Sequence, residues 1–310
     1  MNTFFNKEFL LVKFPILFPI IYGLVLFNFP TFETLLIFLT ILLLAEPHFG
    51  ATWPFFINKT NSNHISENKI SLVFIPIIIL FSCLIGFFFF NKIFYLIFFA
   101  ANVYHVTRQS FGISKLYSKD VLNTSFQEKN IYFFNLLFFL VAYLRFFLEI
   151  DISDIKIYLN LFVLIVLCFV IILYLYKFGF NQNIFTLITG CLIFYPACFV
   201  DNPVHVILMG VTMHFSQYLF LTNKVVIGRK NENSNNLLKT RYSMYFILIA
   251  VIYGSVMASL SMFGKYEEQV FKNLIIIPII GQILHFYLDS QLWKFSLKHN
   301  RDSVLKYLSN

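Results

Sequence analysis

The sequence predicts an all-α fold: a polytopic membrane bundle of about ten transmembrane helices forming a single domain over residues 1–310. Three observations predict it. Hydrophobic residues make up 59% of the chain and charged ones only 12%, a balance foreign to water-soluble domains. Mean hydropathy is +0.76, and 43 residues are Phe. Finally, runs of about 20 predominantly apolar residues, the length that crosses a ~30 Å hydrocarbon core as helix, recur down the chain with only short polar breaks.

The first run, 9 to 28, contains Lys13, Pro15 and Pro19 and lacks a small-x-small cleavage site, so it reads as a retained helix, not a removable signal. The second, 32 to 57, carries Glu46-Pro47-His48-Phe49-Gly50, and its prolines permit a kink. The third, 70 to 90, ends in Phe87 to Phe90, and the fourth, 93 to 116, holds His105, Arg108 and Gln109. In the fifth, 131 to 149, Arg145 and Glu149 have the i, i+4 spacing of an ion pair. The sixth, 157 to 176, is nearly free of polar side chains, and the seventh, 183 to 200, holds Cys191 and Cys198. The eighth, 203 to 222, carries His214, Gln217 and Tyr218; the ninth, 243 to 263, is apolar; the tenth, 272 to 293, holds Gln282, His285 and Asp289. It ends at Trp293 beside Lys294, the residue types of an interfacial anchor. The longest polar stretch, Thr222 to Tyr242, includes the Asn- and Ser-rich run Lys230 to Asn236 and reads as a mobile linker; Asn58 to Lys69 is a shorter loop of the same kind. All chemistry must therefore reside in the bundle.

Charge sets the expected orientation. With the N-terminus inside, 17 of the 23 Lys and Arg fall on inner segments and only Lys92, Lys156, Lys265 and Lys272 lie outside. Both termini are expected in the cytoplasm, in a bacterial inner membrane. Basic loops beside anionic lipid account for the net charge of +8 without a nucleic-acid partner. The four cysteines, Cys83, Cys168, Cys191 and Cys198, lack metal-type spacing and read as small core residues.

His48, His105, His214 and His285 lie inside predicted spans that all run from outside to inside, each 8 to 11 residues from the inner end. A histidine within a membrane faces a partner, a cavity or a metal, and four at one depth suggest one site. Neighbours three and four residues away share a helical face. They are Arg108 and Gln109 beside His105, Gln217 and Tyr218 beside His214, and Gln282 and Asp289 beside His285. Such groups suit the outer shell of a metal site, where the second ring nitrogen must be held to fix tautomer and orientation. Glu46 is expected to pair with Arg108 or to accept from an imidazole, and Glu46 and Asp289 are the acids that can offset a metal's charge. The competing reading makes each histidine a hydrogen bond between helices. His64 and His299 in loops, and His205 at the outer start of the eighth run, are set aside as exposed.

Four neutral imidazoles with an open position suit Fe(II) or another divalent first-row ion. Haem, held by two axial histidines, is the alternative, although no CxxCH motif is present. The clustered HxxxH and HxxHH motifs of membrane desaturases are missing. A proton-coupled transporter using the histidines, Glu46 and Asp289 as a relay is the non-enzymatic reading, weakened by the lack of an internal repeat.

Isolated histidines on separate helices, one in Glu46-Pro47-His48-Phe49-Gly50 and one in Tyr104-His105-Val106-Thr107-Arg108-Gln109, resemble those of the Brp/Blh family of bacterial and archaeal β-carotene 15,15′-dioxygenases. The resemblance spans the architecture of most of the chain and a handful of motif residues. It implies a non-haem iron dioxygenase that cleaves β-carotene to retinal with O2, and it implies His48, His105 and His214 as iron ligands. The family carries two histidines one turn apart on a late helix, where this chain has His214 and Tyr218; His285 and Asp289 are then the candidates for the remaining ligand.

Overall fold

The computed structural model describes residues 6–57, 59–118, 120–230, 236–266 and 272–308. Among these residues every regular element is helical and no strand occurs. The principal helices are α1 (Leu17–Asn28), α2 (Pro30–Phe56), α3 (Ile70–Phe89), α4 (Asn91–Tyr117), α5 (Val121–Phe146), α6 (Ser153–Phe178), α7 (Asn183–Leu192), α8 (Pro203–Arg229), α9 (Tyr242–Met262), α10 (Asn273–Leu292) and α11 (Lys298–Ser303). Most of the linker run Lys230 to Asn236 lies outside the described residues.

Seven of these helices, α2, α3, α5, α6, α8, α9 and α10, are long and apolar enough to cross a membrane, where the sequence suggested ten. The three that drop out do so for separate reasons. The first run is divided into Phe9–Lys13 and the 12-residue α1 around Pro15. The 10-residue α7 gives way to a 3₁₀ turn at Tyr195–Cys198, with Pro196 in its first turn. At 27 residues α4 is long enough, but its Asn, His, Arg, Gln and Ser side chains make it too polar. Exposed apolar side chains such as Phe89, Ile165 and Tyr176 cover the spanning helices, as a protein facing lipid requires.

Three stretches of π-helix, Phe9–Lys13, Ile41–Ala45 and Ile70–Phe74, each stand just before a proline, namely Pro15, Pro47 and Pro76. Proline has no N–H to give the carbonyl four residues back and its ring crowds that carbonyl, so the preceding turn widens to i→i+5 bonding. In α2 the Glu46 N–H accordingly reaches the Ile41 carbonyl. The widened turn re-phases the helix, and every residue from Ala45 to Thr52 is buried.

The chain divides into two compact units, each discontinuous in sequence: Met1–Ile37 with Val103–Gln217, and Phe38–Asn102 with Tyr218–Asn310. In the first, Ile131, Phe134 and Phe138 of α5 are fully buried, and Asn135 donates to the Gly190 carbonyl at 3.0 Å. Gly210 is obligatory there, because a Cβ would fall on the Ile193 carbonyl oxygen. In the second unit α2 and α9 meet at small residues. A Cβ on Gly254 would lie 2.7 Å from the Pro47 ring, and one on Gly50 would lie 2.8 Å from the Tyr253 ring. Close approach at glycine is a common way for membrane helices to gain packing contacts. A second cluster joins Cys83, Phe87 and Phe94 to Ile276 and Ile279.

Three local expectations are corrected. Arg145 pairs with Asp201 at 2.6 Å and donates to the Ala197 and Val200 carbonyls, so it binds the turn after Tyr195–Cys198. Glu149 lies beyond the end of α5 at φ 56°, off the helical face that an i+4 pair needs. Cys168 is exposed on α6, whereas the other three cysteines are buried, and all four are free thiols. Trp293 ends α10 but packs inward, stacked on Phe55 at 5.6 Å and 6.0 Å from the Tyr218 ring.

Candidate metal centre

The histidines arrive on four helices. The proline-shifted turn of α2 turns His48 inward, 1% exposed; α4 carries His105 at 7%, α8 carries His214 at 1%, and α10 carries His285 at 0%. His48 and His285 stand edge to face with ring centroids 4.4 Å apart, and His105 and His214 do the same at 5.5 Å. Each of the four offers a ring nitrogen, and these four atoms lie within 4.8 Å of one another. Four buried nitrogen donors at that spacing form a cluster that can hold a metal ion. The four histidines singled out in the sequence thus lie close together in space.

The surroundings of His48 and His285 are polar and connected. Thr52, one turn beyond His48 on α2, is fully buried, and its hydroxyl lies 2.5 Å from His285 Nδ1 and 2.8 Å from the Tyr218 hydroxyl. Tyr218 in turn donates to Asp289 Oδ1 at 2.7 Å. The second carboxylate oxygen, Oδ2, stands 3.7 Å from His285 Nε2. The Tyr218 ring packs edge-on against both imidazoles, at 4.7 Å from His48 and 5.2 Å from His285.

Thr52 was not among the sequence candidates, although the rule that selected the others finds it: it is the i+4 neighbour of His48. Tyr218 was chosen as a neighbour of His214, and its hydroxyl instead serves Asp289 and Thr52. Gln217 is buried and donates to the Val12 carbonyl at 2.7 Å. Gln109 is half-buried on α4. Glu46 is 2% exposed; one of its oxygens accepts from Gln282 at 3.2 Å and the other has no hydrogen-bond partner among the described residues.

The expectation for Arg108 is corrected. Its side chain is exposed and donates to the Tyr104 hydroxyl one turn back at 3.3 Å. The two residues are four apart and share the outer face of α4, so the guanidinium points away from the buried face that carries His105. Glu46 takes Gln282 as its partner instead.

His205, set aside as exposed, is 2% exposed. Its Nδ1 meets the Tyr22 hydroxyl at 2.7 Å and its Nε2 meets Glu33 at 2.8 Å, and Asn202 also donates to Glu33. His64 and His299 form a parallel stack, 4.1 Å between centroids at 7°, with His299 Nε2 3.0 Å from Asn61 Oδ1. Neither group belongs to the four-histidine cluster.

Fold and site together define the class: a chain all-helical over its described residues, with seven helices long and apolar enough to cross a membrane and a buried tetra-histidine cluster that could hold a metal. Comparison with known protein families, with curated proteins and with solved structures returns no match. Which member of that class the chain is must therefore be argued from the site.

Proposed function

We propose that the four histidines hold a single Fe(II) ion and that the protein is a membrane-embedded, non-haem iron oxygenase acting on a lipid-soluble substrate. The carotenoid cleavage implied by the Brp/Blh resemblance, β-carotene and O2 to two molecules of retinal, is the reaction proposed. The observation that carries this reading is the convergence of four buried ring nitrogens within 4.8 Å of one another. With metal–nitrogen bonds of ~2.0–2.1 Å, two nitrogens on opposite sides of one ion stand about 4 Å apart, so a small contraction brings all four into a single coordination sphere. Haem fits the spacing less well, because its macrocycle fills four positions and leaves only two for protein.

When bound, the ion would supply redox chemistry and open positions beyond four imidazoles. The chain's own contribution is to bind, orient and exclude water. Thr52, Tyr218 and Asp289 hold His285, the closely packed rings of Phe49 and Phe286 wall it off, and the Asp289 carboxylate offsets part of the ion's charge. A carotenoid dissolved in the bilayer reaches such a site laterally, without entering water. In the cleavage the central C=C breaks and each carbon takes one oxygen atom of O2, so no further reductant is needed. The membrane is proposed to be a bacterial inner membrane with both termini inside, on the Lys/Arg distribution, which requires one further crossing, such as the 27-residue α4, beside the seven most apolar helices.

Metal analysis and an absorption spectrum of detergent-purified protein test the centre. Near-stoichiometric iron without a Soret band is expected, and a Soret band or metal-free protein would overturn it. In cells that accumulate β-carotene, expression should bleach the orange colour and yield retinal, in an oxygen- and iron-dependent way. Unchanged carotenoid beside iron-loaded protein would refute the substrate and leave an oxygenase of another lipid.

A further inference from the structure

Asp289, Tyr218, Thr52 and His285 lie in one hydrogen-bonded line, and the direction of every proton along it follows from its acid end. A carboxylate only accepts. Tyr218 gives its single hydroxyl proton to Asp289 Oδ1 at 2.7 Å. The Tyr218 oxygen can then only accept at its 2.8 Å contact with Thr52, so the Thr52 proton goes to Tyr218. The Thr52 oxygen is left to accept at its 2.5 Å contact with His285 Nδ1, and that contact requires Nδ1 to carry the proton. A neutral imidazole with Nδ1–H has its lone pair on Nε2.

The opposite arrangement fails on the same distances. Were Thr52 to donate to His285, its oxygen would stand 2.8 Å from the Tyr218 oxygen with no proton between them. Nor does Asp289 hold a proton on Nε2 directly, since its Oδ2 is 3.7 Å away, beyond hydrogen-bond range. A lone pair and a carboxylate oxygen at that separation suit a cation.

We propose that Asp289, Tyr218 and Thr52 form a directional relay that fixes His285 in the Nδ1–H tautomer, making Thr52 and Tyr218 positioning residues that present Nε2 to the metal. The role as a metal-site relay rests on the iron reading above; the tautomer itself does not. Neither hydroxyl is a ligand. Their contribution is to select one of two tautomers and one ring orientation before the ion arrives, and outer-shell partners of this kind typically change metal affinity about 10- to 100-fold.

Two measurements test it. In metal-free protein in lipid, with labelled histidine, carbon–nitrogen correlation spectra assign the protonated ring nitrogen of His285 by difference from His285→Gln. Wild type and Thr52→Ser should show Nδ1–H, and Thr52→Val and Tyr218→Phe should lose that preference. An Nε2–H tautomer at His285 in wild type would overturn the relay. Anaerobic Fe(II) titration should show binding weakened about 10- to 100-fold by Thr52→Val, less by Tyr218→Phe, and within about twofold of wild type for Thr52→Ser. Equal Fe(II) affinity in wild type and Thr52→Val would overturn the positioning role. Wild type that binds no Fe(II) would instead defeat the iron reading, while the tautomer spectrum still decides the relay. Tyr218→Phe keeps the ring packing and serves if Thr52→Val fails to fold.

Discussion

His205 and His285 are both buried, at 2% and 0% exposure, and both stand in a group made of an imidazole, a tyrosine and a carboxylate. At His205 the acid binds the ring directly: Glu33 takes Nε2 and Tyr22 takes Nδ1, so both nitrogens are engaged locally. At His285 the acid acts on Nδ1 through two hydroxyls, Tyr218 and Thr52, while its Oδ2 stands 3.7 Å from Nε2. The same three residue types thus give opposite results. A carboxylate placed on the second nitrogen makes a structural histidine, whereas a carboxylate set two hydroxyls back would, on the relay proposed above, fix the tautomer and present Nε2 to a metal.

The largest effect should separate the two histidines by metal content. His285→Ala, like His48→Ala, His105→Ala and His214→Ala, should weaken Fe(II) binding by more than the about 100-fold typical of outer-shell changes. His205→Ala should retain full metal. Elemental analysis of the five purified variants decides, and metal loss in His205→Ala would erase the distinction. Next come the acids. Asp289→Asn puts a possible donor where Tyr218 needs an acceptor, and Fe(II) affinity should fall about tenfold or more. Glu33→Gln keeps a carbonyl oxygen that still accepts from His205 Nε2–H, so affinity should not change and stability should move by less than ~1 kcal/mol.

Removing the phenol on the structural side should be felt only in stability. Tyr22 is 3% exposed, and its hydroxyl bonds His205 Nδ1 at 2.7 Å. Tyr22→Phe leaves that nitrogen buried without its donor, at a cost of about 1–3 kcal/mol. A lowered melting temperature with unchanged Fe(II) titration is the expected pair of results. Any loss of iron would show that His205 communicates with the cluster.

What could be read in advance follows the same division. The four clustered histidines were legible because a histidine inside a long apolar stretch is costly unless it meets a partner, a cavity or a metal, and four of them stand in such stretches. Thr52 was equally legible from its i+4 spacing to His48. His205 was misjudged because its partners, Tyr22 and Glu33, lie 183 and 172 residues away in the chain, and nothing local signals such contacts. Arg108 was placed in the site on its charge and its i+3 spacing from His105; it instead pairs with Tyr104 at i−4 on the exposed face of α4. The number of spanning helices was overestimated because hydropathy registers apolar length but not interruptions such as those near Pro15 and Pro196. Equally, the π-turn before Pro47 changes which face of α2 looks inward, and a fixed period of 3.6 residues does not anticipate it.

The smallest expected effect concerns the third kind of histidine, the stacked pair His64 and His299. These rings lie 4.1 Å apart and nearly parallel, and unlike His205 and His285 they are half-exposed, so protons can reach them. Burial, followed by the neighbouring His64 and the Arg229 guanidinium, holds the His299 imidazole below its usual 6.5, with Asp302 and Glu67 opposing. A histidine whose pKa is lower in the folded state binds its proton more readily when unfolded, so folding loses stability as pH falls from about 6.5 through that lowered value. The loss should be modest because solvent screens much of the interaction. Thermal melting of the purified protein should therefore shift down between pH 7.5 and 5, and His64→Phe, which keeps an aromatic ring to stack but removes a charge, should flatten that dependence. If instead the slope persisted unchanged in His64→Phe, the stacked pair would not be its source.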